Sequence, residues 1–148
     1  MIIGFTGTST GMTQKQIATV RYLFTELQVT ELHHGECCGA DGQANRIAIE
    51  LGIRRVGHPP TDKRKWVYCR TDESWPEKPY LKRNRDIIGA TEGLIACPKD
   101  FIAPVSNRGQ GTWTTVGYAR QAGRTVWLVL PDGTFTTDAR PLDHHERV

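Results

Sequence analysis

Short apolar runs alternate along the chain with segments whose apolar residues recur every three or four positions. The apolar runs cover residues 2–5, 29–34, 53–57, 93–97 and 124–130, and each is typical of a buried strand. Helical spacing is clearest after the first run, in Ile17, Val20, Leu23, Phe24 and Leu27. This alternation predicts a three-layer α/β sandwich with a mainly parallel sheet of about five strands.

The same pattern indicates where the helices and the domain end. Thr13 and Gln16 form a capping-box pattern at the first helix, and Gly52 is a stop signal for the second. Further helices are predicted after Pro79 and over residues 111–122. We expect one domain over residues 1–133, followed by a polar tail, 134–148, that is partly ordered or adds a short strand.

Composition narrows the class of protein. The chain has 148 residues, a net charge of +3 and a pI of about 8.8, which is too mildly basic to indicate a nucleic-acid binder by itself. Its apolar runs fall well short of the roughly 20 residues of a membrane helix, so no membrane partner is expected. The N-terminus lacks the features of a signal peptide, which favours a cytoplasmic location.

The cysteines give little support for a disulfide framework or a metal site. They stand at positions 37, 38, 69 and 97 without a C-x-x-C pair. His33 and His34 lie close to Cys37 and Cys38, but this spacing matches no standard zinc pattern. We therefore expect no metal and no resident cofactor.

Glycines, hydroxyls and acids are concentrated in three segments that follow predicted strands. Their candidate binding residues are Gly7, Thr8 and Ser9, then Gly35, Glu36 and Asp41, then Arg108, Gly109, Gly111 and Thr112. Turn formation and helix capping would explain the same residue types. However, such segments meet at one edge of a parallel sheet, where α/β proteins bind ligands. Glycines and a helix N-terminus suit phosphate, so the pattern favours a nucleotide-type pocket.

Two other segments carry candidate ligand contacts. Asn84 falls on the apolar side of the third predicted helix, and because a buried Asn needs partners we expect it to reach a loop or a ligand. Residues 61–79 form the longest irregular stretch, which is typical of a functional loop. Trp66 and Trp75 in this stretch would either stack on a base or anchor the loop.

Three motifs taken together resemble the SLOG superfamily of Rossmann-like proteins. They are residues 34–41 (HGECCGAD), the Arg83-Asn84-Arg85 helix and residues 109–113 (GQGTW). This superfamily includes the Lonely Guy phosphoribohydrolases, the DNA-processing protein A domain and small YpsA-related nucleotide-sensing domains. The resemblance covers about residues 2–131, and it implies a Rossmann-like fold, a phosphate site at residues 109–112 and a homodimer.

The resemblance also implies a set of catalytic groups, from which this chain departs. Lonely Guy enzymes carry the motif P-G-G-x-G-T-x-x-E, and here Thr115 stands at the position of the glutamate. A threonine cannot act as the acid or base, so a replacement would have to come from Glu36 or Asp41. Arg83 or Arg85 would take the role of the family's arginine.

The predicted pocket is compatible with three functions. The favoured one is binding of a nucleotide or a derivative such as a ribosyl phosphate, NAD or an ADP-ribose-like molecule. The second is hydrolysis of an N-glycosidic bond, with Glu36, Asp41 and Arg83 as the catalytic residues. The third, by likeness to DNA-processing protein A, is binding of single-stranded nucleic acid through the basic residues 63–65, Arg83 and stacked tryptophans.

Overall fold

A seven-stranded sheet with four helices forms the body of the protein. The computed structural model describes residues 1–105 and 111–138. The strands are β1 Ile2–Gly7, β2 Glu31–His34, β3 Arg54–Gly57, β4 Glu73–Ser74, β5 Gly93–Cys97, β6 Thr125–Val129 and β7 Phe135–Asp138. The helices are α1 Gln14–Glu26, α2 Ala40–Glu50, α3 Tyr80–Gly89 and α4 Gly111–Gln121, and residues Lys63–Lys65 form a short 3₁₀ turn.

The strand order is β4-β3-β2-β1-β5-β6-β7, and only β7 among these described strands is antiparallel to its neighbour. The predicted α/β class and mainly parallel sheet are therefore confirmed, whereas the predicted number of about five strands is wrong. The two additional strands lie at the edges. β4 consists of Glu73 and Ser74, and β7 reads Phe-Thr-Thr-Asp, so neither has the apolar run that marks a buried strand.

Alternate residues of the central strands pack into two separate cores. On one face, Ile95 and Cys97 of β5 pack with α1 and α2. On the other face, Leu94 and Ala96 pack with α3 and α4. Successive side chains of a strand point to opposite faces, so this division gives helix, sheet and helix layers.

Local signals fix the first helix as the sequence predicts. Thr13 is the N-cap of α1, and its side chain accepts a hydrogen bond from the Gln16 amide at 3.0 Å. The Gln16 side chain accepts in return from the Thr13 amide at 3.0 Å. Within the described ranges, no helix is long and apolar enough to cross a membrane.

The order of the strands creates a crevice at the centre of the sheet. The chain leaves β1 toward β2 on one side, whereas β5 pairs with β1 on the other side. The Thr8 amide donates to the Cys97 carbonyl at 3.0 Å, so the segments that follow β1 and β5 begin side by side and then separate. In open α/β sheets this is the position where ligands bind.

Candidate functional site

A cavity of about 670 Å³ opens at this crevice. Residues 7–10 after β1, 98–100 after β5 and 111–114 of α4 line one side. The other side is lined by Cys37, Pro60, the first turn of α3, and Asp62, Arg64 and Lys65 of the basic turn. The volume lies within the range of about 300–1,000 Å³ that is usual for small-molecule sites.

A much smaller recess of about 20 Å³ adjoins the cavity and shares four of its lining residues, Gly7, Cys37, Tyr80 and Arg83. Its other polar side chains are Thr6, Asp41, Asn84 and Thr115. The cavity is therefore open and mixed in polarity, whereas the recess is narrow and lined by several groups that form hydrogen bonds.

Arg83 lines both spaces, although its side chain is almost fully buried. One guanidinium nitrogen donates to the carbonyls of Gly35 and, at 3.2 Å, His58. The Nε atom is buried without a hydrogen-bond partner among the described residues, and no carboxylate in that part of the chain forms an ion pair with Arg83. A buried guanidinium held only by neutral carbonyls is a favourable contact for an anionic group.

Tyr80 stands one helical turn before Arg83 and covers its guanidinium, with the ring centroid 4.9 Å from Cζ. A Cβ on Gly111 would overlap the Tyr80 hydroxyl, so the start of α4 can approach α3 only because residue 111 is glycine. Burial raises the pKa of the Tyr80 hydroxyl, although the charge of Arg83 and a hydrogen bond with Asn84 act in the opposite direction. Tyr80 is thus a neutral hydroxyl on the cavity wall.

Asn84 and Thr115 tie α3 to α4 at the recess. The Asn84 amide donates to the Thr115 hydroxyl at 2.9 Å, and that hydroxyl donates to the Gly111 carbonyl at 2.8 Å. The buried Asn84 therefore finds its partner in a neighbouring helix. Thr115, which aligns with the glutamate of the Lonely Guy motif, is buried and holds the first turn of α4.

Asp41 organises the segment between β2 and α2. Its Oδ2 accepts from the amides of Gly35 at 3.2 Å and Cys37 at 3.1 Å, and its side chain lines the recess. Burial raises the pKa of the Asp41 carboxyl, while the charge of Arg83 and the two amides lower it. The N-cap of α2 is Gly39, so Asp41 does not cap its own helix; its side chain instead accepts hydrogen bonds from amides of the preceding loop.

Glu36 points away from the cavity. Its backbone is left-handed, with φ at 51°, and its Oε1 accepts only a long hydrogen bond of 3.5 Å from the Cys69 amide. Oε2 packs against Gly57 and is buried without a partner in the described part of the chain. The structure therefore separates the two acids, because Asp41 borders the recess and Glu36 lies behind it.

The hydroxyl-rich segment after β1 forms a compact turn at the cavity wall. The Thr8 hydroxyl is 2.8 Å from the Thr10 hydroxyl and accepts from the Thr10 amide at 3.2 Å. Gly7, Thr8 and Ser9 all line the cavity, as do Gly111 and Thr112 across it. Gly35 contacts the recess, and Arg108 and Gly109 lie outside the described residues.

Cys37 faces both spaces as an uncharged thiol. Burial raises its pKa to about 12, and the neighbouring Asp41 adds to this shift. No group of three or more histidines, cysteines and acids that could hold a metal occurs over residues 1–105 and 111–138.

The buried histidines build a wall behind the site. His33 Nδ1 lies 2.8 Å from His58 Nε2, and the His58 ring packs on Trp75 with centroids 4.4 Å apart. Burial, together with the charge of His33, lowers the pKa of His58 to about 3. Trp75 therefore anchors the 61–79 loop, whereas Trp66 is more exposed and packs edge-on against Tyr68.

Sequence reasoning missed Tyr80 and Lys99, which line the cavity, and it considered Lys65 only as a contact for nucleic acid. Tyr80 and Arg83 are three positions apart on one helix, and this spacing places both on the same face. Lys99 carried no local signal, since only the order of the strands brings its loop to the cavity.

No protein-family model and no curated protein matches this sequence. Several solved structures are similar. The molybdenum cofactor binding protein from the phototrophic bacterium Rippkaea orientalis has a TM-score of 0.66 and 19% identity, covering 87% of this chain and 76% of that one. The Moco carrier protein from Chlamydomonas reinhardtii has a TM-score of 0.63 and 20% identity, covering 88% and 75%.

DNA processing protein A from Streptococcus pneumoniae has a TM-score of 0.59 and 17% identity, covering 85% of this chain and 49% of that one. At these identities the likeness establishes a Rossmann-like fold and nothing finer. Membership of the SLOG superfamily, or of one of its branches, stays a prediction.

Proposed function

We propose that the protein binds a nucleotide or nucleotide derivative in the 670 Å³ cavity at the carboxyl edge of the sheet. The observation that carries this proposal is Arg83, a buried cation on the cavity wall whose hydrogen-bond partners are neutral carbonyls. The charge of a buried guanidinium is costly unless it is compensated. A phosphate in the cavity would compensate this charge.

The opposite wall offers a second set of groups suited to phosphate. The first N–H groups of α4 have no partners within the helix, and Thr112 adds a hydroxyl beside them. The turn at residues 7–10 adds further backbone and hydroxyl groups. Tyr80 and Trp113 supply aromatic surface for a base within the same cavity.

A thermal-shift panel tests the proposal directly. It contains nucleoside mono-, di- and triphosphates, NAD, ADP-ribose and a short single-stranded oligonucleotide. Molybdenum cofactor is included because two similar structures are named for binding or carrying it. A ligand at a hundred times its dissociation constant should stabilise the fold by about 2.7 kcal/mol. Absence of a shift with every member would contradict the proposal.

Substitutions of cavity residues then test where the ligand binds. Arg83→Met should abolish the shift, and Thr112→Val, which keeps the side-chain size, should reduce it. Arg85→Met is the matched control, because Arg85 is exposed and lies over the Tyr118 ring, 4.7 Å from its centroid. Equal loss with Arg83→Met and Arg85→Met would exclude a specific role for Arg83.

A second candidate function is hydrolysis of the N-glycosidic bond of the bound nucleotide. The observation that favours it is the Asp41 carboxyl, which lines the recess beside Arg83 and whose pKa is raised by burial. Chromatography of released base tests it. Release that is lost with Asp41→Asn and kept with Glu36→Gln would assign the acid to Asp41, and no release at all would leave binding as the function.

The third candidate, single-stranded nucleic-acid binding, draws on the exposed Trp66 and Tyr68 beside Lys63, whose ammonium lies 5.2 Å from the Trp66 ring centroid. A shift with the oligonucleotide only, with binding that falls steeply as salt is added, would favour it.

A further inference from the structure

The recess beside the cavity has the size of one water molecule. Its volume is about 20 Å³, and a buried water needs about 10–15 Å³ together with two to four polar partners. The recess and the cavity share Gly7, Cys37, Tyr80 and Arg83 in their walls, so a molecule in the recess adjoins a ligand in the cavity. These dimensions exclude a phosphate or a sugar and admit a water.

Two polar groups of the recess have hydrogen-bonding capacity to spare. Asp41 is 5% exposed, and its Oδ2 accepts from the amides of Gly35 and Cys37, whereas no described residue donates to its Oδ1. Thr6 also lines the recess, and its hydroxyl has no hydrogen-bond partner over residues 1–105 and 111–138. A carboxylate oxygen that accepts, together with a hydroxyl that can donate and accept, provides the partners that a buried water requires.

The fold brings these two groups together from different layers. Phe5 packs with α1 and α2, so the next residue of β1, Thr6, points to the face that carries α3 and α4. There it lines the recess with Asn84 and Thr115, whose side chains are already bonded to each other, and it does not line the larger cavity. Asp41 reaches the same recess from the first turn of α2.

We infer that the recess binds one water between Asp41 and Thr6, and that this water attacks a nucleotide held in the cavity. The inference rests on the proposed function, in its hydrolytic alternative, and supplies the nucleophile of that reaction. The water oxygen bonds to C1′ of the ribose, the C1′–N bond breaks, and its electron pair leaves with the base. Asp41 accepts a proton from the water and the base takes one from solvent, so the products are a ribose phosphate and the free base.

The charge of Arg83 supports this role for Asp41, because both side chains line the recess. A nearby positive charge favours the ionised carboxylate, which is the form that can accept the proton. The two fixed groups also restrict the direction from which the water can approach, and such orientation lowers the barrier to attack. Asp41 is thus the catalytic base, and Thr6 is a positioning residue.

Base release in mixtures of water and methanol tests where the nucleophile is held. The substrates are the 5′-monophosphates of adenosine, guanosine, cytidine and uridine, and chromatography separates the products. A site for one water excludes the extra methyl group of methanol, so we expect ribose phosphate without methyl riboside. Methyl riboside formed in proportion to the added methanol would overturn the inference, because the nucleophile would then come from the open cavity.

Substitutions at Thr6 test the positioning role. Thr6→Val keeps the shape and removes the hydroxyl, so it should slow base release about tenfold, as expected for the loss of one hydrogen bond. Nucleotide affinity should stay within twofold, because Thr6 does not line the cavity, and Thr6→Ser should recover the rate. Thr125→Val is the matched control, since Thr125 begins β6, is half-buried and lines neither space. Equal rates of release by Thr6→Val and Thr125→Val would contradict the role of Thr6.

A crystal structure gives the direct check. Electron density for one water is expected within hydrogen-bond distance of Asp41 Oδ1 and Thr6 Oγ1, and a recess without it, at a resolution that shows other buried waters, would overturn the inference. Nucleotide binding without release of base from any of the four substrates would also overturn it, while leaving the proposed binding function intact. Binding of no nucleotide would overturn both together.

Discussion

Replacing Gly35 with alanine would place a methyl group where the Arg83 guanidinium now lies. The new Cβ would stand 2.6 Å from Arg83 Cζ, a distance that folded proteins do not sustain, and 3.1 Å from Nε, which is tighter than most contacts of this kind. Gly35 does not have a positive φ, so alanine is compatible with the backbone and the clash is the main effect. Arg83 must then leave the two carbonyls that hold it.

The cost follows from overpacking, which is typically about 1–3 kcal/mol in a packed interior. For a chain of this size, 1 kcal/mol corresponds to about 2–4 °C, so Gly35→Ala should lower the melting temperature by about 2–12 °C. Ligand affinity should fall at least tenfold, because the displaced guanidinium no longer faces the cavity in the same position.

Gly42→Ala is the matched control. A Cβ at Gly42 meets nothing within 4 Å, and residue 42 lies inside α2, where alanine is favoured over glycine by about 0.5–1 kcal/mol. This variant should be as stable as the wild type or slightly more so, with unchanged affinity. A Gly35→Ala protein that melts and binds like the Gly42→Ala protein would refute the argument that Arg83 is fixed by contact with Gly35.

Three further outcomes are expected. Burial raises the pKa of the Asp41 carboxyl above its ordinary value of 3.8, so its ionisation destabilises the folded state as pH rises above about 4; the free energy of unfolding of Asp41→Asn, measured with denaturant, should increase relative to that of the wild type as pH rises from there. The pKa of His58 is lowered from 6.5 to about 3, so the stability that neutral His58 provides is lost as pH falls between these values; His58→Gln should unfold less readily in acid than the wild type. With its pKa at about 12, Cys37 should react with iodoacetamide at pH 8 more than about 100-fold slower than a free cysteine, as measured by mass spectrometry of its peptide.

The central strands were predictable because burial on both faces leaves a continuous apolar run. β5 has the predicted bounds, Gly93–Cys97, and all five residues are buried. β4 was not predicted, because Glu73 and Ser74 are exposed, and β7 was predicted only as one alternative for the tail, because it is mostly polar. Their pairing with β3 and β6 forms them, and pairing partners distant in sequence leave no local signal.

The candidate site was predictable as a region but not in its details. Leu81 is apolar and stands three residues before the buried Asn84 on α3, yet Leu81 is half-exposed and the charged Arg83 is buried. A buried arginine needs hydrogen-bond acceptors, and here these are two backbone carbonyls that directly follow β2 and β3. The choice between Arg83 and Arg85 therefore depends on tertiary contacts.

The orientations of the two acids also could not be predicted from the sequence. Glu36 and Asp41 lie in one loop and carry the same chemistry, yet Asp41 turns to the recess and Glu36 turns toward Gly57. The left-handed backbone at Glu36 sets this difference. A left-handed glutamate is uncommon, and sequence patterns give no reason to expect one.

The pairing of β1 with β5 has a consequence for synthesis of the chain on the ribosome. Ile3 pairs with Gly93, so the edge of β1 that pairs with β5 stays uncovered until most of the polypeptide has been synthesised. β1, β2 and β3 can associate earlier, with Arg83 reaching their loops only when α3 has emerged. Contacts that span so much sequence slow folding and leave a strand edge open to other chains meanwhile. The nascent protein therefore completes its cavity late, and a ligand already present at that moment would favour the finished fold over an aggregating intermediate.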